Sequence, residues 1–369
     1  MSDTKRILFV GSFKSQAKDG SVGGQMYACK TLLNSSLKDK YQWILIDSTA
    51  DSNIKSSIFK RVYKSIIRSI RYIYYILFKN VDICLIFTGD GFSFIEKGTM
   101  GMLSIMLNKK VILSPRSGIV VKDYESSRFY RWFYPFVLNN MTNVVCQGAS
   151  WYSFYKQIAP TGKYTVIENW LDTDPYLNIV RSEDKSTINI GFMSWVDTNK
   201  GVFELINVFL KIVSEYESCI LHIAGDGEAM QQVQLFVKNH KLESKVVFHG
   251  WVMGDVKYKF LSELDIYILP SYYEGFPNSL MEAMASGLAC IATNVGAIPD
   301  LIENGKHGLI IKPKDSIELY NAMKLLILNP IMRENLGIQA KKRILSNNTP
   351  KHGAVAFEKV LSDVINNKF

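Results

Sequence analysis

Apolar residues fall in short blocks along the whole chain, most of them uninterrupted, separated by polar and helix-patterned stretches. In the first half the blocks are Ile7 to Val10, Trp43 to Ile46, Ile83 to Phe87, Val111 to Leu113 and Val144 to Cys146. In the second they are Ile188 to Met193, Ile220 to Ala224, Val246 to Phe248, Ile266 to Leu269, Leu288 to Thr293 and Leu309 to Ile311. Blocks without polar alternation suit strands buried on both faces, as in a parallel sheet. Helical segments alternate with them, which predicts two α/β domains, each built on a parallel sheet.

The most informative stretch is Ile266 to Gly287. The strand Ile266 to Leu269 is stopped by Pro270, and a loop rich in Gly, Pro and Asn comes next. Asn278 or Ser279 is the expected N-cap of a helix over Leu280 to Ala285, and Gly287 stands where a helix C-terminal glycine belongs. This places Glu274 on the loop and Glu282 in the first turn of the helix. The free N–H groups and positive end of a helix start suit a phosphate, and they keep a nearby carboxylate ionised. An ionised carboxylate accepts two hydrogen bonds, as a ribose diol requires.

Lys55 to Lys79 predicts an amphipathic helix. Ile58, Val62, Ile66, Ile70, Ile73 and Leu77 recur at helical spacing, with Lys60, Arg61, Lys64, Arg68 and Arg71 opposite. The domain core is expected to claim the apolar stripe, which leaves the basic face to solvent or to an anionic membrane surface. Near the N-terminus, Gly23-Gly24 opens a helix and allows a ligand close to the backbone. It is not the G-x-G-x-x-G fingerprint of dinucleotide binding.

Composition narrows the classes. The chain has 369 residues, room for two domains, and 47% of them are hydrophobic. No window approaches the ~20 apolar residues of a spanning helix, and the short run Ile7 to Val10 reads as a first strand rather than a signal peptide. The five cysteines are scattered without C-x-x-C spacing, which predicts a reduced cytoplasmic protein with no disulfide framework or zinc site. The net charge of +9 divides unevenly: residues 1–170 hold 23 Lys and Arg against 11 Asp and Glu, and residues 171–369 are net negative. The basic half should face something anionic, but no nucleic-acid module is present.

The wording of the central stretch adds a resemblance. Glu274-Gly275-Phe276-Pro277-Asn278-Ser279-Leu280-Met281-Glu282 resembles the E-x7-E signature of the retaining glycosyltransferases of family four, and Gly287 to Ile302 is similar to the next segment of that family. The resemblance covers nearly the whole chain, most strongly residues 188–311. It implies the GT-B fold, two Rossmann-like domains facing across a cleft. The boundaries read as an acceptor domain over 1–170, a linker over 171–187, a nucleotide-sugar domain over 188–349, and a last helix over 350–369 crossing back to the first domain.

The same resemblance implies a reaction and its residues. A sugar would pass from a nucleotide sugar, a UDP-sugar rather than a GDP-sugar, to a hydroxyl of a glycan or polyprenyl-diphosphate-linked acceptor, with retention and no metal or other cofactor. Glu274 would hold the sugar and offset positive charge at the anomeric carbon, Lys200 would meet the diphosphate, and Glu282 the ribose. Gly275, Phe276, Pro277, Asn278, Ser279, Gly201, Gly225, Gly250, Trp251 and Val252 would line the donor site. Trp195 stands where the family usually has a second cation, an arginine. Gly23, Gly24 and Arg116 would lie on the acceptor or phosphate side. Arg116 can bind phosphate or sugar hydroxyls but cannot act as a base. The implied setting is bacterial surface polysaccharide assembly, in the cytoplasm or peripheral on the inner leaflet through residues 55–79. A sugar-nucleotide epimerase or hydrolase, or a non-catalytic binding subunit, are the alternatives; the presence of both carboxylates disfavours the last.

Overall fold

The computed structural model describes residues 4–14, 24–50, 57–179 and 186–368. They divide into two units, Met1–Trp170 with Pro350–Phe369, and Leu171–Thr349. Each is built on a six-stranded, wholly parallel sheet, and this is the GT-B architecture.

Unit 1 runs β1 (Arg6–Gly11), α1 (Gly24–Leu33), β2 (Gln42–Asp47), α2 (Ile58–Phe78), β3 (Ile83–Thr88), α3 (Gly91–Met106), β4 (Lys110–Pro115), α4 (Val120–Ser126), α5 (Arg128–Asn140), β5 (Asn143–Cys146), α6 (Ala149–Ile158) and β6 (Tyr164–Val166). The sheet order is β2-β1-β3-β4-β5-β6. β1 and β3 to β5 are almost wholly buried, as their unbroken apolar runs require. Helix Pro350–Ile365 belongs to this unit and buries Phe357, Val360, Leu361 and Val364 against Phe9, Phe87 and Trp170. Its C-terminal carbonyls, Val364 and Ile365, accept from Lys110 Nζ, both at 2.8 Å, the cation that a helix C-terminus favours.

Unit 2 runs α7 (Asp174–Leu177), β7 (Ile188–Met193), α8 (Val202–Glu215), β8 (Cys219–Ala224), α9 (Met230–Asn239), β9 (Val246–Gly250), α10 (Gly254–Glu263), β10 (Ile266–Leu269), α11 (Asn278–Ala285), β11 (Ala289–Thr293), α12 (Ile298–Leu301), β12 (Leu309–Ile311), α13 (Ser316–Leu328) and α14 (Pro330–Asn347). The expected linker therefore carries a short helix. The sheet order β12-β11-β10-β7-β8-β9 reverses between β7 and β10. In a doubly wound sheet that reversal opens a crevice at the strands' carboxyl ends, where such folds bind ligands. All five cysteines are buried and none is in a disulfide.

Helix α2 departs from expectation: its apolar stripe points outward. Ile66, Ile70, Ile73 and Leu77 are exposed, whereas Tyr72 and Ile76 are buried. The reason lies on α3. Glu96 is a buried carboxylate there, and Arg68 meets it with both Nε and Nη2, at 2.7 and 2.8 Å. Tyr72 OH lies 2.5 Å from the buried Ser104 Oγ, and Arg61 stacks 5.3 Å from the Phe92 ring. A buried carboxylate without a partner costs more than an exposed aliphatic side chain, so the polar side of α2 turns inward. Arg61, Lys64 and Arg68 thus lie on the half-buried side, and of the expected basic face only Lys60 and Arg71 are exposed.

Arg68→Met will leave Glu96 charged and buried. Lys97, which lies near enough to Glu96 to feel its charge, offsets part of this, so the expected loss is about 3 kcal/mol. A lower urea midpoint for Arg68→Met that Arg68→Met with Glu96→Leu recovers is the expected result; equal midpoints for wild type and the single variant would refute the pairing.

Candidate functional site

The site in unit 2 is assembled by the two loops that leave β7 and β10 at the reversal of the sheet. After β7 the chain makes a 3-10 turn over Thr198–Lys200, where Asp197 Oδ1 accepts from the Lys200 amide at 3.1 Å. Gly201 comes next at φ +68, and a Cβ there would lie 2.1 Å from the Pro270 carbonyl oxygen. Only glycine takes that backbone angle freely and permits that approach. The Tyr272 amide donates to the Asn199 carbonyl at 2.7 Å, and its phenol donates to Glu204 Oε1, so one residue of the second loop is tied both to the first loop and to α8.

This approach brings Lys200 and Glu274 together. Lys200 Nζ lies 2.6 Å from Glu274 Oε1, and Ser271 Oγ donates to the same oxygen at 2.8 Å. The Glu274 side chain is 9% exposed and that of Lys200 22%. Behind Glu274, Gly296 at φ +54 lets the backbone after β11 pass where a Cβ would lie 1.8 Å from the Glu274 carbonyl oxygen. The Ala297 amide then donates to the Gly275 carbonyl at 3.0 Å, and Thr293 Oγ1 donates to the Ser271 carbonyl at 2.5 Å. Phe276 and Pro277 are buried beneath the loop.

Helix α11 corrects two expectations. It begins at Asn278 with Pro277 at the N-cap, so neither Asn278 nor Ser279 caps it. The Ser279 hydroxyl instead bonds to Tyr267, whose phenol donates to the Met193 carbonyl at 3.0 Å and is pushed up by burial. Glu282 consequently lies beyond the first turn, and no acidic residue occupies that turn. The dipole of α11 is therefore not its main electrostatic partner, since that field fades within one turn. Its partner is Lys257 of α10, whose Nζ lies 2.6 Å from Glu282 Oε1. The sequence offered no signal for Lys257, which reads there as one more lysine on a surface helix.

The other residues expected to line a donor site lie at or just after the ends of β7, β8 and β9. The Gly225 amide, after β8, donates to the Gly250 carbonyl at 2.7 Å, which joins the ends of β8 and β9. Trp195 packs edge-on to Trp251 at 6.3 Å, so an aromatic pair occupies the place of the expected arginine. Val252 is buried beside them. His249 is engaged with His222 (Nε2 to Nδ1, 3.0 Å), and desolvation pushes its pKa down, a structural role.

In unit 1, Gly24 begins α1, and Gly23 lies outside the described residues. Arg116 stands directly after β4. Its guanidinium lies 4.1 Å from the Phe87 ring and 5.5 Å from the Trp170 ring, and Nη1 donates to Asn169 Oδ1 at 2.7 Å. Nε and Nη2 are buried and make no hydrogen bond among the described residues. Burial pushes the Arg116 pKa down to about 10, which still leaves it charged at neutral pH. Lys97, bonded to Ser93 Oγ at 3.0 Å, is pushed down to about 8 by the same cause. Among the described residues, no group of three or more His, Cys, Asp or Glu could hold a metal ion, and no helix is long and apolar enough to cross a membrane.

Comparison with known proteins agrees with this geometry. Residues 179–343 match the family model described as glycosyl transferases group 1. That stretch contains Lys200, Lys257, Glu274 and Glu282. The chain is 30% identical over 166 residues to the N-acetyl-alpha-D-glucosaminyl L-malate synthase of Bacillus anthracis, covering 45% of this chain and 43% of that one. The match therefore spans less than half of the relative's length. Among solved structures, the sucrose-phosphate synthase of Thermosynechococcus elongatus superposes with a TM-score of 0.82 at 14% identity, over 98% of this chain and 100% of that one. Anabaena HepE in complex with UDP and glucose superposes with a TM-score of 0.73 at 15% identity, over 97% and 100%. At these identities the likeness is one of fold.

Replacing Gly201 or Gly296 by alanine will force a side chain into a backbone carbonyl at a left-handed φ. Each substitution is expected to cost unit 2 about 3 kcal/mol, read as a lower urea midpoint. A variant that unfolds with wild-type stability would mean that the loops do not meet in this way.

Proposed function

We propose that the protein transfers a sugar from a nucleoside-diphosphate sugar, a UDP-sugar rather than a GDP-sugar, to a hydroxyl of a glycan or lipid-linked acceptor, with retention at the anomeric carbon and without a metal ion. The observation that carries this reading is the Lys200–Glu274–Ser271 cluster at the reversal of the unit 2 sheet. A fixed cation beside a fixed carboxylate is what a reaction needs when a diphosphate leaves and positive charge develops on the carbon it leaves. The group 1 match over the stretch that holds all four charged residues supports it. The presence of UDP in the HepE structure supports the choice of base.

In this reaction the bond between the anomeric carbon and the diphosphate oxygen breaks, and the diphosphate keeps the electron pair. An ammonium group has three protons, so Lys200 can keep its bond to Glu274 and still donate to the leaving oxygens. The positive end of α11, which starts at Asn278 beside this loop, adds to the same charge stabilisation. Glu274 holds the sugar hydroxyls and offsets charge at the anomeric carbon. The acceptor oxygen attacks, and its proton passes to a donor phosphate oxygen. Glu282 takes the ribose diol: Lys257 holds Oε1, yet a carboxylate retains further lone pairs. In unit 1 the two unbonded donors of Arg116 suit an anionic group on the acceptor. A basic residue balance over 1–170 suits a lipid-linked, phosphate-bearing acceptor at the inner leaflet, as in surface polysaccharide assembly.

Glu282→Gln should weaken UDP binding by about 1–3 kcal/mol in a calorimetric titration. Glu274→Ala should leave UDP affinity unchanged or tighter, because it releases Lys200, while lowering kcat by about 100-fold or more. Equal losses of affinity in both variants would overturn the division of roles.

Turnover of the preferred donor in EDTA should equal turnover in magnesium. Activity that vanishes in EDTA and returns with magnesium would rule out charge stabilisation by Lys200 alone. UDP release that ignores added acceptor would point to the hydrolase or epimerase reading.

A further inference from the structure

The outward face of α2 has no partner among the described residues, and it is too large and too ordered in composition to be incidental. Phe59, Val62, Ile66, Ile70, Ile73 and Leu77 lie along it, from 37% exposed at Val62 to 84% at Phe59. Tyr63 and Tyr74 flank the stripe and are exposed too. A helix of 21 residues is about 30 Å long. A second element carries the same signature. On α5, Phe129, Trp132 and Phe136 are exposed, and Trp132 stacks on Phe136 at 5.3 Å. Both helices pack on α3, whose last residue, Met106, is 77% exposed.

Charge selects the occupant. α2 and α5 contain no acidic residue, and Lys60, Arg71, Arg128 and Arg131 are exposed on them. A second copy seated here would set these cations against their own equivalents. An anionic lipid surface complements them, and it also provides an apolar layer for the stripe and a wet boundary for the Tyr and Trp rings.

We propose that the outward face of α2, extended by Phe129, Trp132 and Phe136 of α5, inserts into the headgroup layer of an anionic bilayer. The helix lies flat on the membrane, and burial of its apolar side holds it there; the cations steer it in and favour anionic lipid. This deepens the membrane part of the proposed function and differs from attachment by charge alone. Apolar burial survives salt that screens surface charges.

The test is sedimentation of the full chain with phosphatidylglycerol/phosphatidylethanolamine vesicles at about 0.1 M and about 1 M salt, with no donor or acceptor present. Its outcome is thereby independent of whether the protein transfers sugar. Wild type should pellet with the vesicles at both salts. Ile66→Asp with Ile70→Asp should lower partition at least about tenfold at both, with an unchanged urea midpoint because both side chains are already exposed. Lys60→Glu with Arg71→Glu should lower it at low salt only. Brominated lipid should quench tryptophan fluorescence in wild type, and Trp132→Leu should remove that quenching. Three results would overturn the proposal: no vesicle binding by wild type, equal partition of wild type and the Asp variant, or complete loss of wild-type binding at about 1 M salt. A wild-type dimer that the Asp variant dissociates, with no vesicle binding, would assign the face to a second copy instead.

Discussion

The carbonyl oxygen of Pro270 sits where a side chain on residue 201 would be. Everything at the unit 2 site depends on that close passage. Because Gly201 gives way, the turn over Thr198–Lys200 lies directly against the end of β10, and α8 can start immediately after it. Tyr272 then bonds to Asn199, and Lys200 reaches Glu274. On the far side Gly296 and Ala297 close in behind Glu274 and Gly275. The carboxylate is thus held by three successive crossings of the sheet's carboxyl edge, which is why a side chain on an irregular loop can be buried and still have a defined position.

The site contains two ammonium–carboxylate pairs rather than isolated charges. Lys200 with Glu274 and Lys257 with Glu282 are both largely withdrawn from water. Each partner offsets the desolvation of the other, so the site can exist folded before any ligand arrives. The pairs are also poised differently. Glu274 receives two donors on one oxygen, from Lys200 and Ser271, which orients it firmly. Glu282 is held by Lys257 on one oxygen, in the second turn of α11, where the dipole contributes less. In the reaction proposed above, a diphosphate would compete for Lys200 rather than for Lys257, and the two carboxylates would respond differently to the same ligand.

Unit 1 resolves a conflict between its own polar and apolar groups. Burying Glu96 on α3 requires a cation, and α2 supplies Arg68 only by turning its basic side inward. The aliphatic stripe is then left outside. The Arg68–Glu96 pair and the Tyr72–Ser104 hydrogen bond are made in this orientation of the helix and would be lost in the opposite one. The same choice creates the exposed apolar face of α2.

Much of this was legible in the residue order. The apolar blocks became the sheet strands, and the least interrupted of them, such as Ile83 to Phe87 and Ile266 to Leu269, are the ones buried on both faces; the loop from Pro270 to Asn278 was marked by its own glycine, prolines and asparagine. Local spacing also put Glu274 on a loop and Lys200 just before a glycine. The tertiary structure alone decided which of these residues meet. The cationic partners of Glu274, Glu282 and Glu96 lie 74, 25 and 28 positions away in sequence, beyond the reach of any periodicity. Helical spacing fixes two stripes on α2 but is symmetric as to which one faces in. That choice belongs to Glu96, a residue on another helix, because the free energy of a buried charge is set by what surrounds it in space and not by its neighbours along the chain.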